Sequence, residues 1–256
     1  MNQALQIRSA LTSEQLPAPS QTWLQSFISQ QPPQQHSLPA LVATAKARLL
    51  AADLTTPGLF DTSSQLPVFP RELLELSSAS VQETRLSYDV IVQVVDLENL
   101  SQSRWQQVQA LEAIERGEQK RGREIIRIPV NGDDDNEDDG GGDEAGNESG
   151  RGGRSAARAA ASSSGPSDAS STHRLVLQDA TGQTLFALEL TRIYRIGIGR
   201  LRMGEKLLLK KGTVVARGTL LLEPACVKFL GGQIEAMNKT WMDGRLARLR
   251  AAAQAE

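Results

Sequence analysis

The amino-acid sequence predicts an α+β fold. A small N-terminal helical region (residues 1–80) packs on a five-stranded β-barrel (residues 81–250), which carries a long insertion (residues 98–172) after its first strand and ends in a C-terminal helix. Three observations carry this expectation. Apolar residues recur at helical spacing before residue 80. At Leu86 the period switches to the alternation of a strand. After residue 172, short β-branched and leucine-rich runs alternate with glycine-bearing turns. The 256 residues leave room for one large domain or two small ones.

Residues 1–40 are rich in Gln and Pro but hold helical pieces. Trp23, Leu24, Phe27 and Ile28 form one apolar stripe, with Ser20 or Thr22 as the cap and Pro32-Pro33 as the stop. A second helix is predicted over 39–54, with Pro39 in its first turn and Leu38, Leu41, Val42, Ala45, Leu49 and Ala52 facing inward. Residues 55–70 are turn-rich, and a short helix is expected over 71–76. This region is too small to bury enough surface alone, so it should dock on the barrel.

In the run 86–96, Leu86, Tyr88, Val90, Val92 and Val94 share one face of a strand. A helix is predicted over 104–119 from the spacing of Trp105, Val108, Leu111 and Ile114, and a strand-like piece over 125–128. Past the insertion, 174–179 and 183–190 read as a hairpin around Gly182. Strands are predicted over 206–210, 214–222 (carrying Gly218) and 227–230, the last broken by Gly231-Gly232. Ile234, Met237, Trp241, Leu246 and Leu249 mark one C-terminal helix. Five or so strands with glycine at the bends fit a small Greek-key barrel, the OB-fold.

Charge divides the chain. Residues 1–130 carry 11 basic and 13 acidic residues, 131–171 carry 3 and 10, and 172–256 carry 14 and 7. The net values are −2, −7 and +7, so a near-neutral whole conceals an acidic insert beside a basic domain. Nine carboxylates lie between Asp133 and Glu148 with no basic residue among them. With Gly, Ser and Ala as the filler, 131–171 is expected to be disordered.

The residues that would carry catalysis are sparse. Cys226 is the single cysteine, which excludes a disulfide framework and a multi-cysteine zinc site. His36 and His173 are far apart in sequence and have no evident partners. In the glycine-bearing stretch from Gly199, Glu205 stands where a phosphate loop needs its lysine. The acidic tract lacks the alternating ligand spacing of a calcium loop. No enzyme, cofactor or metal site is therefore expected, and no apolar run approaches the ~20 residues of a membrane span.

Two sets of residues remain as candidates for binding. Arg192, Arg195, Arg200, Arg202, Lys210 and Lys211, with Lys206 and Arg217, crowd one stretch and permit weak DNA contact. Stacking platforms are also needed. Tyr88, Phe186, Tyr194 and Phe229 are the candidates, and some of these must fill the core. The other set surrounds Trp105, which is either a local contact with the barrel or an anchor for a partner protein.

Several runs resemble one family, the RecQ-mediated genome instability (Rmi) proteins in their short, fungal-type form. They are Trp23-Leu24, Leu49-Leu50-Ala51-Ala52-Asp53-Leu54, Leu66-Pro67, Val92-Gln93-Val94-Val95-Asp96, Ser103-Arg104-Trp105, and the run from Gly218 to Pro224 leading into Val227-Lys228-Phe229-Leu230-Gly231-Gly232. The resemblance implies a nuclear, non-catalytic OB-fold partner of topoisomerase III that works with a RecQ-type helicase in dissolving double Holliday junctions. It implies that the loop after the first strand reaches the gate of the type IA topoisomerase. In this sequence the apolar residues able to make that contact are Val108, Leu111, Ile114, Ile125, Ile126 and Ile128, with Ser103 and Trp105. The alternative is an autonomous single-stranded-DNA-binding OB-fold protein.

Overall fold

The computed structural model describes residues 3–30, 37–61, 68–70, 73, 83–117 and 171–255. The proposed pieces at 125–128 and 131–170, and most of the short helix at 71–76, lie outside them.

Three helices open the chain: α1 (Gln3–Ser13), α2 (Gln21–Ser29) and α3 (Leu38–Ala51). Ser20 caps α2, its hydroxyl accepting from Trp23 N at 3.0 Å. Helix α3 begins with Pro39 in its first turn and buries Leu41, Ala45, Leu49 and Leu50, while Leu38 lies on the surface. Helix α1 has no counterpart among the predicted elements. It buries Ala4, Ile7 and Leu11 against the other two.

Eight strands follow in one curled mixed sheet, a half-barrel: β1 (Glu83–Arg85), β2 (Val90–Asn99), β3 (His173–Gln178), β4 (Thr184–Glu189), β5 (Lys206–Leu209), β6 (Val214–Ala216), β7 (Thr219–Leu222) and β8 (Val227–Gly231). Their spatial order is β1-β6-β7-β4-β3-β2-β5-β8, with β4 and β7 parallel and the other neighbours antiparallel. The architecture is consistent with an OB-fold.

Among the described residues six runs read as strands, for a barrel of five or so, and the two further strands have local causes. The first strand breaks at residues 86–89, which leaves Tyr88 exposed, and the predicted strand 214–222 is a hairpin. Arg217 and Gly218 both have positive φ, 47° and 75°, and form its two-residue turn between the paired Ala216 and Thr219. The single C-terminal helix is likewise two, broken at Gly244: α5 (Glu235–Asp243) and α6 (Arg245–Gln254). The remaining helix, α4 (Arg104–Glu115), follows β2.

Strand β2 is covered on both sides. Val90, Val92 and Val94 point into the sheet's own core. Ile91, with Leu208 of β5, belongs to the core of the helical region. That docking carries a polar clasp. Gln93 is fully buried; its Nε2 donates to Asp53 Oδ1 (2.8 Å) and Gln178 Oε1 (3.0 Å), and its Oε1 accepts from Leu54 N (3.0 Å). Gly232 lets the chain pass against α3, since a Cβ there would lie 2.4 Å from Leu50 O.

Candidate partner-binding surface

The connection between β2 and β3 leaves and re-enters the sheet at adjacent points. Asn99 pairs with His173, and Leu100 N donates to Thr172 O at 2.9 Å. The returning end is fixed by a buried cluster. Glu189 Oε2 accepts from His173 N (2.9 Å) and lies 2.7 Å from His173 Nδ1. Glu189 Oε1 accepts from Ile193 N (2.9 Å) and from Arg192 Nη1 (2.6 Å). Burial alone would push the Glu189 carboxyl up; these donors and the Arg192 charge outweigh it and hold it below the ordinary carboxylate range. The stabilisation from a depressed carboxylate is present at neutral pH and lost as pH falls through the acid range. Glu189→Gln is expected to cost about 2 kcal/mol at neutral pH and to reduce the acid-side loss of stability, as read by urea unfolding across that range.

The leaving end is fixed by α4. Ser103 caps it in a capping box: its hydroxyl accepts from Gln106 N (3.2 Å), and Gln106 Oε1 accepts from Ser103 N (3.0 Å). Gln107 is buried and donates to Asn99 O and Gln102 O, tying the helix to the end of β2. Arg250 clamps it to α6 through Glu112, at 2.7 and 3.1 Å. Val108 is buried in this packing and presents no surface of its own.

Trp105, on the same helix, is 53% exposed. Leu111 and Ile114 are half-buried and line a groove whose other wall is Ile198, Leu201, Arg202, Met242 and Arg245. A cleft of about 200 Å³ adjoins it between β2, α4 and the C-terminal helices, with Glu98, Arg104, Trp241 and Arg248 among its lining. Ile125, Ile126 and Ile128 lie outside the described residues.

The basic set divides three ways. Arg192 is committed to Glu189 and to the carbonyls of Ile193 and Ile196. Arg195, Arg200 and Arg202 gather in the loop between β4 and β5, where Arg195 and Arg202 both contact Glu205. Lys210 and Lys211 are exposed just beyond the far end of β5. Lys206, counted with them on charge alone, is buried and donates to Gly204 O at 2.6 Å.

Of the four aromatic candidates, Phe229 packs half-buried against the core of the sheet. Tyr88, Phe186 and Tyr194 are all exposed. A sequence cannot show which way an aromatic in an irregular loop points, so Tyr194 carries no separate signal there.

The reactive residue types serve structure. His173 is paired with Glu189, and Cys226 Sγ accepts from Glu223 N at 3.1 Å within a turn. Among the described residues no group of three or more His, Cys, Asp or Glu is placed to hold a metal ion.

Comparison with known proteins agrees with this geometry. Residues 69–245 match the family model described as RMI1, N-terminal OB-fold domain, and residues 11–57 match the one described as RMI1, N-terminal helical domain. The chain is similar to the RecQ-mediated genome instability protein 1 of Schizosaccharomyces pombe, 38% identical over 80 residues, which is 31% of this chain and 33% of that protein. The match thus spans about a third of the relative's length. With helices, curled sheet and both models in the same chain order, this protein belongs to the RMI1 family.

Proposed function

We propose that this chain is the non-catalytic scaffold of a nuclear complex between a RecQ-type helicase and a type IA topoisomerase, topoisomerase III, serving genome stability through decatenation and the dissolution of double Holliday junctions. The observation that carries the reading is the exposed Trp105 on a helix tied to the end of β2 and to α6, at the root of the connection that leaves the sheet after β2. Family membership and the name of the fission-yeast relative support it. On this reading the eight strands act as a five-stranded barrel. β1 and β2 pair with β6 and β5 in one continuous register across the break at 86–89, as one bent strand would. The helical region (1–80), the barrel (81–250) and the insertion (98–172, acidic over 131–171) are its working parts.

The mechanism is a population shift. A connection that binds the open topoisomerase gate more tightly than the closed one favours the open state by that difference alone. The anchoring residues are Trp105, Leu111 and Ile114, with Ile125, Ile126 and Ile128 beyond them.

A pull-down of the whole chain with topoisomerase III from the same source tests the reading. Trp105→Ala combined with Ile126→Asp is expected to weaken binding by about 30-fold or more, the loss typical of a buried tryptophan anchor. Unchanged binding would overturn the placement at α4 and the insertion. No binding by the unaltered chain would overturn the scaffold function.

A further inference from the structure

The loop between β4 and β5 presents what an unpaired base and its phosphates would meet. Tyr194 is 68% exposed. The Arg200 guanidinium lies 4.6 Å from its ring centroid, held there by a bond from Nη1 to Tyr194 O at 2.9 Å. Gly197 makes the room: a Cβ at that position would come within 3.1 Å of Arg200 Nε. The ring is therefore backed by a cation on one face and open to solvent over most of the rest.

Cations surround it. Arg195, the next residue, lies 4.9 Å from the Phe229 ring centroid and is anchored by Glu205 Oε1 at 2.7 Å. Arg202 donates to Gln233 Oε1 at 2.8 Å. Glu205, the carboxylate of the cluster, is buried and engaged through both oxygens, by Arg195 and by Arg202 N. Its pairing with Arg195 leaves Arg200 and Arg202 as the excess positive charge of the loop. The groups facing outward are guanidiniums and an aromatic face.

We infer that this loop is a contact site for single-stranded nucleic acid, with one unpaired base stacked on Tyr194 and the flanking phosphates held by Arg195, Arg200 and Arg202. A duplex would use the cations and leave the ring idle, because its bases are already stacked. An acidic protein segment would do the same. The site adjoins the scaffold surface, since Arg202 also walls the groove beside Leu111 and Ile114, but its residues belong to neither α4 nor the insertion.

The test is fluorescence anisotropy of a labelled oligothymidylate with the full chain and no topoisomerase present, so its failure leaves the scaffold reading untouched. Binding is expected at low salt and to weaken as salt rises. Tyr194→Ala is expected to weaken it at least about fivefold with the salt dependence unchanged, and Tyr194→Phe to restore it. Arg202→Ala is expected to weaken binding and to lower the salt slope by about 0.7, one phosphate contact on a single strand. The exposure of Tyr194 keeps the fold out of the comparison, which an unchanged unfolding midpoint verifies. The inference is overturned by absence of binding at low salt, by a Tyr194→Ala protein that binds like the unaltered chain, or by duplex DNA or polyglutamate competing as well as unlabelled oligothymidylate.

Discussion

Trp241→Ala is expected to lower the stability of the protein by about 3–5 kcal/mol, the range for removing a large buried aromatic. The side chain is 8% exposed and belongs to the core of the sheet. Its Nε1 donates to Asp96 Oδ1 at 2.6 Å, and the same oxygen accepts from Leu97 N at 2.9 Å. The Arg248 guanidinium stacks 5.2 Å from the ring and donates to Trp241 O. One residue therefore fixes α5 to β2 and, through Arg248, α6 to α5. Truncation leaves a cavity, takes a donor from Asp96 and opens the cleft that Trp241 lines with Glu98 and Arg104. Trp241→Phe keeps the ring and should recover most of the loss. Urea unfolding of both variants is the measurement, and a cost under about 1 kcal/mol for the alanine variant would refute the packing account.

Lys206→Met is expected to act in the opposite direction, stabilising the protein by about 3 kcal/mol at neutral pH. The side chain is 1% exposed. Burial pushes its ammonium down from an ordinary 10.5 to about 8, against the opposing pull of the nearby Asp53 carboxylate. Below about pH 8 the amine is charged in both the folded and unfolded chains, and the fold carries the whole desolvation penalty. Between about 8 and 10.5 the unfolded chain binds more protons than the folded one, so this residue makes stability rise with pH across that window. The difference in unfolding free energy between variant and unaltered protein should therefore be largest at neutral pH and shrink toward pH 10.5. Asp53 retains its bonds from Thr55 and Gln93 in the variant, which limits the cost of losing its cation. A Lys206→Met protein less stable than its parent at neutral pH would show that the amine's bond to Gly204 outweighs its burial.

Much of the architecture is readable in the residues because burial follows periodicity. The alternation in 183–190 sets Leu185, Ala187 and Glu189 on one face and Phe186 and Leu190 on the other, and the first face is the buried one. Helix α1 escapes because its stripe is only Ala4, Ile7 and Leu11 among Gln, Ser and Thr, and contact with α2 and α3 decides what propensity leaves open. The hairpin at Arg217-Gly218 escapes because arginine seldom takes a positive φ, so the pair looks like strand. In the candidate site, residue type is legible and pairing is not. Arg192 and Arg195 look alike in sequence, yet one is committed to Glu189 within the fold and the other stacks on Phe229 at the surface. Gln93 and Lys206, polar residues in strands, take their meaning wholly from what packs across them.

The bond from Leu100 N to Thr172 O has a consequence for how this chain can vary. Its two sides are held by the sheet itself, with Thr172 N also donating to Ser101 Oγ at 2.8 Å. Whatever joins them begins and ends at points already in register, and the entropy of closing a loop grows by only about 0.6 kcal/mol for each doubling of its length. The join is a seam. Past α4, which stays tied to the end of β2 through Gln107 and to α6 through Glu112, sequence in the connection can be lengthened, shortened or exchanged for a foreign segment without the strands registering the change. The same seam is where a circularly permuted version of the protein should be opened.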